Sequence, residues 1–245
     1  MEPDFLVLVH GYLGSGAQWE RQVPVFSQHF RVVCLDLPGY GPNCEMQSPD
    51  TIGGYAEYIL SELDKQQIGS FHILGHSMGG MIAQEIVHRA PERVKMLVLY
   101  GTAAVGHIPG RFETMQESQE LLLRHGVLNN ARRISAKWFV NGVASQGYES
   151  CAHVASQTSL QAATAGLHAM QAWTGRDFLG SISCKTMLLW GEHDKTYLRP
   201  LQDEMCQAIP GATLHVVVDC CHVVHLEQTH LFNSVVLDFF KLGPS

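Results

Sequence analysis

Charge is scarce in this chain, and positive charge is scarcest. Charged residues make up 16%, and 23 Asp and Glu outnumber 16 Lys and Arg, for a net charge of -7. That balance excludes the broad basic face that nucleic acid or an anionic membrane surface would require. Long apolar runs are missing too, and no stretch approaches the length of a transmembrane helix. Phe5–Val9 is too short for the core of a signal peptide, and Met1-Glu2-Pro3-Asp4 ahead of it carries no basic region. The seven cysteines are an odd number without the spacing of a disulfide framework, and the adjacent Cys220 and Cys221 are poorly placed to bridge each other. These features read as a cytoplasmic chain in a reducing compartment. Internal repeats and low-complexity tracts are absent. The fourteen histidines offer no His-x-x-x-His pair with a third ligand on one element, so no metal is expected.

What the chain does have is 46% hydrophobic residues over 245 positions, enough for one large core. Apolar runs predict strands at 5–9, 31–35, 71–74, 96–100, 186–190 and 213–218. Helical composition predicts helices at 17–28, 51–67, 78–89, 199–208 and 228–241. This alternation implies a mainly parallel sheet of about six strands with helices on both faces.

One motif stands out. Gly75-His76-Ser77-Met78-Gly79 joins an apolar strand to a helix. A serine inside G-x-S-x-G on such a turn is a nucleophile elbow, because the sharp turn needs small neighbours and the helix start favours a forming oxyanion. A serine nucleophile also needs a base and an orienting acid. Polar residues follow later strands in the required order: Gly191-Glu192-His193-Asp194 after one, Asp219-Cys220-Cys221-His222 after another. His10-Gly11-Tyr12 follows the first.

With these motifs, and with Asp36-Leu37-Pro38-Gly39-Tyr40-Gly41 after the second strand, the chain resembles the α/β-hydrolase family over nearly its whole length. The resemblance implies an α/β-hydrolase fold and a triad of Ser77, Asp194 and His222. Glu192 and Asp219 are rival acids. His222 is favoured over His225 because it stands five residues before Glu227, the family's spacing; Cys221 replaces the usual glycine before it. The amides of Met78 and Tyr12 are the expected oxyanion donors, with Leu13 the alternative to Tyr12. His10 is expected to shape that loop beside the substrate, and His76 to pack or hydrogen-bond structurally. No cofactor is needed.

The chain departs from the family in lacking room for the usual antiparallel pair before the His-Gly strand. The first strand should therefore lie nearer an exposed edge, which favours self-association; a monomer or homodimer is expected. Residues 103–183 interrupt the alternation with helical composition at Phe112–His125, Asn129–Phe139, Gly147–Ser156 and Leu160–Trp173, punctuated by Gly126, Asn141-Gly142 and Gly175. They are expected to form a helical cap over a core of residues 1–102 and 184–245, with Met170 and Trp173 meeting the substrate. Six cap cations (Arg111, Arg124, Arg132, Arg133, Lys137, Arg176) mostly belong to solvated faces, with one or two available to clamp a substrate carboxylate.

The expected activity is hydrolysis of a carboxylic ester or lactone of a small metabolite. Gly101-Thr102-Ala103-Ala104 and the amphipathic helix after it are similar to 3-oxoadipate enol-lactonases. Two alternatives stand beside it: a hydrolase of carbon–carbon bonds in ring-cleavage products, and a ligand sensor built on the hydrolase fold. His76 leans toward esters, because the carbon–carbon branch often carries Asn there.

Overall fold

The computed structural model describes residues 2–108 and 110–241. Residue 1, residues 242–245 of the expected core and residue 109 of the expected cap lie outside the described residues.

Six parallel strands form one sheet: β1 Phe5–Val9, β2 Arg31–Leu35, β3 Phe71–His76, β4 Val94–Tyr100, β5 Lys185–Gly191 and β6 Thr213–Val217, in the order β2-β1-β3-β4-β5-β6. Side chains alternate between the two faces. Val7, Val9, Ile73, Leu97 and Leu99 enter one core, and Leu6, Leu8, Leu74, Met96 and Val98 the other. Burial on both faces explains why these strands read as continuous apolar runs.

The first core is closed by α2 Ile52–Lys65 and α3 Met78–Arg89, the second by α1 Val23–Phe26 and α9 Thr229–Lys241. Helix α2 turns Ile52, Tyr55, Ala56, Ile59 and Leu63 inward at helical spacing, and Thr51 caps it by accepting from Gly54 N–H at 3.1 Å. Helices α7 Arg199–Ala208 and α8 Val224–Glu227 complete the sheet-flanking set.

One expectation needs correction. The helix at 17–28 is two short pieces, a 3-10 turn at Gly16–Trp19 and α1, because Pro24 has no N–H to continue a longer helix. The last helix, α9, starts at Thr229, close to the expected 228, with the short α8 ahead of it. The first strand lies one strand in from the sheet edge, which β2 forms, and is paired on both sides, Val7 opposite Val33 and Ile73.

The chain moves outward from β1 in one direction to β2 and in the other to β3. Crevices for ligands open at such a reversal, at the carboxyl ends of the strands. His10-Gly11 and Ser77 meet there: a Cβ added to Gly11 would stand 2.8 Å from Ser77 Cβ.

Between β4 and β5 the chain inserts α4 Met115–Ser135, α5 Tyr148–Ser156 and α6 Leu160–Ala172. Thr114 and Glu117 form a capping box at the start of α4. Gly126, at φ 71°, breaks α4 into two directions, as its place between two helical patterns suggests. The inserted helices are tied to the sheet's carboxyl edge. Ser159 N–H donates to Gly39 O at 2.9 Å, Tyr40 Oη donates to Ala162 O at 3.2 Å and Trp173 Nε1 donates to Glu85 at 3.1 Å. Among the described residues no helix is long and apolar enough to cross a membrane.

Candidate active site

Ser77 sits between β3 and α3 with φ 57° and ψ -121°, a conformation that costs a non-glycine residue on the order of 1–3 kcal/mol. The surroundings enforce it. Ser77 N–H donates to Tyr100 O at 2.9 Å, and Thr102 Oγ1 donates to Ser77 O at 2.7 Å. Side chains at Gly75 or Gly79 would run into backbone: Gly75 into Gly79, and Gly79 into the carbonyls of Val9 and His10. The motif glycines therefore answer to close approach.

His222 and Asp194 come from the ends of β6 and β5. Nδ1 of His222 lies 2.8 Å from Asp194 Oδ2, with the two side chains 1% and 0% exposed. The other carboxylate oxygen accepts from Thr196 N–H at 2.7 Å and Tyr197 N–H at 3.2 Å. With a carboxylate on Nδ1, the imidazole is held with Nε2 free for chemistry. Gly101, at φ 51°, leaves room for the pair: an added Cβ would stand 3.3 Å from His222 Nδ1. The rival acids do not reach the imidazole. Asp219 is 88% exposed and, like Glu192, lies beside His193.

Four other histidines are buried, His10, His72, His76 and His225, and none is placed to act as a base; His72 turns to Asp4 at 3.4 Å. His10 accepts from Leu37 N–H at Nε2 (3.0 Å), while its Nδ1 meets Gly11 O at 2.9 Å. Burial pulls its pKa down to about 4 and that of His225 to about 3, and holds His76 well below the usual range. His10 is wholly enclosed and holds the loop through its contacts with Leu37 and Gly11. Met170 is buried, and Trp173 turns its indole to Glu85 and its ring edge to Phe178.

At the opposing loop, Gly14 N–H closes a turn on Gly11 O at 3.0 Å, and Leu13 takes φ 57°. Met78 N–H belongs to the first turn of α3, where amides have no helical partner.

Two neighbours of the site carried no sequence signal. The Tyr197 phenol has its pKa raised to about 12 by burial, a shift the Ser77 hydroxyl opposes, and its ring centroid lies 5.7 Å from that of His222. The Trp138 carbonyl accepts from His222 N–H at 3.0 Å, joining the inserted segment to the histidine loop. A cavity of about 300 Å3 opens beside His222, with Tyr12, Trp138, Val154 and Leu226 among its walls.

As for metals, Glu192, His193 and Asp219 are the one group among the described residues whose ligand atoms gather within 4.8 Å. All three are exposed, and nothing else there points to an ion.

The chain is 27% identical to a Pseudomonas 2-hydroxy-6-oxononadienedioate/2-hydroxy-6-oxononatrienedioate hydrolase, over 96% of this chain and 87% of the relative. It is 25% identical to 3-oxoadipate enol-lactonase 2 of Acinetobacter baylyi, over 90% and 82%. Among solved structures, an enol-lactonase from Burkholderia xenovorans superposes with a TM-score of 0.88 at 23% identity, covering 98% of this chain and 92% of that one. The alpha/beta hydrolase fold model matches residues 4–229, so the chain belongs to the α/β-hydrolase family.

Proposed function

We propose that this chain hydrolyses a carboxylic ester or lactone of a small metabolite through Ser77, His222 and Asp194. The observation that carries the reading is the enclosed His222–Asp194 hydrogen bond at 2.8 Å beside a serine held at positive φ.

His222 Nε2 takes the Ser77 proton as Oγ attacks the carbonyl carbon. Asp194 keeps the imidazole in its tautomer and stabilises the imidazolium. The amides of Met78 and Tyr12 hold the oxyanion; such a donor is worth about 10²–10³ in rate. The leaving oxygen departs with the proton from His222, and water activated by the same nitrogen releases the acid. The inserted helices act as a cap that excludes bulk water from the acyl-enzyme.

Cleavage of carbon–carbon bonds is the second reading, favoured by the name of the Pseudomonas relative, which is a hydrolase of an oxo-dienedioate. Turnover of p-nitrophenyl esters from acetate to octanoate, with Ser77→Ala alongside, separates the two. Multiple turnovers lost in the variant support the ester reading. No turnover, or activity that survives in the variant, overturns it.

A further inference from the structure

Arg111 is the partly buried cation of the inserted segment that has no carboxylate partner among the described residues. Arg132 pairs with Glu149 at 2.9 Å, Arg133 with Glu113 at 2.5 Å and Arg176 with Glu204 at 2.5 Å. Arg124 and Lys137 are exposed. Arg111 is neither paired in this way nor fully in water. Its Nη1 donates to neutral acceptors: Glu113 O at 3.1 Å, Ser118 Oγ at 3.3 Å and Met115 Sδ at 3.6 Å. Its Nε is buried with no acceptor. The Glu113 carboxylate is engaged by Arg133 and by Ser118 Oγ at 2.5 Å, and is linked to Arg111 through that hydroxyl and through space, with no direct ion pair.

The edge left idle is Nε with Nη2, the side of the guanidinium that matches a carboxylate with two parallel hydrogen bonds. Its location relates it to the reaction centre. Gly110 packs on Leu198, where an added Cβ would stand 3.2 Å from Cδ1, and Leu198 follows Tyr197. The Arg111 charge acts on the phenols of both Tyr197 and Tyr12, opposing the burial that raises their pKa values. Tyr197 faces Ser77, and the Tyr12 hydroxyl is buried with no partner. Burial is the largest influence on Arg111 itself and disfavours its charge. A desolvated cation whose nearest carboxylate is taken by Arg133 and Ser118 is costly, and an anionic ligand lowers that cost.

We infer that Arg111 is the anchor for a carboxylate on the substrate, so that the ester or lactone cleaved here is an anion. This rests on the hydrolytic reading above. The cavity beside His222 and Trp138 shares Tyr12 with the surroundings of Arg111, does not include Arg111 in its wall, and suits the uncharged part of the molecule.

Monomethyl adipate and methyl hexanoate test it, since they present the same acyl length with and without a carboxylate. Their hydrolysis is followed by pH-stat in the full chain, Arg111→Gln and Arg111→Lys. The ratio of kcat/KM between the two esters is expected to fall about 30-fold in Arg111→Gln, mainly through KM. In Arg111→Lys it falls less, because charge remains and the fork is lost. An unchanged ratio in both variants, or equal losses on both esters, overturns the inference. Should Arg111→Gln fail to fold by thermal melt, the Lys variant decides it by the same ratio. Adipate binding to Ser77→Ala, measured by calorimetry with and without Arg111→Gln, separates this inference from the hydrolytic reading. If neither these esters nor the p-nitrophenyl esters are turned over, the hydrolytic reading fails. Adipate bound at least about tenfold more weakly without Arg111 still supports the anchor, and equal or absent binding overturns it.

Discussion

His76 Nε2 stands 3.1 Å from the main-chain oxygen of His222. A carbonyl only accepts, so His76 carries its proton on Nε2, and Nδ1 is left to accept from Gln18 Nε2 at 3.4 Å. Tyr100 Oη donates to the same carbonyl at 3.1 Å, and the His76 ring stacks on Tyr100 at 4.4 Å. The residue next to Ser77 therefore holds the backbone of the histidine beside it. His76→Phe keeps the stacking ring and removes the donor. We expect kcat on a p-nitrophenyl ester to fall about tenfold with KM within about twofold, the effect of one neutral hydrogen bond on the position of His222. Unchanged kcat would show that Tyr100 alone suffices.

The acid is a matter of reach. Asp194→Asn should lower kcat by a factor on the order of 10⁴, because the amide no longer enforces the imidazole tautomer. Glu192→Gln and Asp219→Asn, on exposed carboxylates, should stay within about twofold. Steady-state kinetics on the three variants checks this, and a large loss at Asp219 would reassign the acid.

Buried histidines make the fold acid-sensitive, and three of them, His10, His76 and His225, are wholly desolvated. The pKa of His10 is drawn down to about 4 and that of His225 to about 3, and His76 is held well below its ordinary value, all chiefly by burial. Below about pH 6.5 the unfolded chain binds protons that the folded chain refuses, so stability falls as pH falls. Their contribution is fully present above pH 6.5 and is lost progressively toward the folded values near 4 and 3. The slope approaches about 1.4 kcal/mol per pH unit for each histidine. Urea unfolding at pH 7, 6 and 5 should show it, and a flat profile would contradict the burial of these rings in the neutral form.

On the proposed reading, the cavity beside His222 receives the uncharged group and limits its size. Val154, on α5, lines it, and Val154→Trp should fill part of the 300 Å3. We expect the octanoate-to-acetate ratio of kcat/KM for p-nitrophenyl esters to fall at least about tenfold, with acetate turnover nearly retained. An unaltered chain-length profile would place the acyl chain elsewhere.

The sequence by itself determined the sheet and the chemistry offered at its edge. Strands buried on both faces read as continuous apolar runs, so Phe5–Val9 and the stretch 96–100 announce themselves, while Lys95 at the start of β4 stays out of the apolar run. The elbow is legible because backbone crowding restricts its glycines within a few residues of Ser77. Breaks were less legible: Pro24 splits an apolar, helix-like stretch that composition alone joins. Tertiary structure decided what depends on distant partners. Asp194, and neither Glu192 nor Asp219, meets a histidine 28 positions away. His76 meets a carbonyl 146 positions away, Trp173 turns to Glu85, and Arg111 is left without the carboxylates that its neighbours take. Local periodicity records which face of an element is buried. Which side chains from different elements then touch follows from how those elements pack, and no local pattern carries that information.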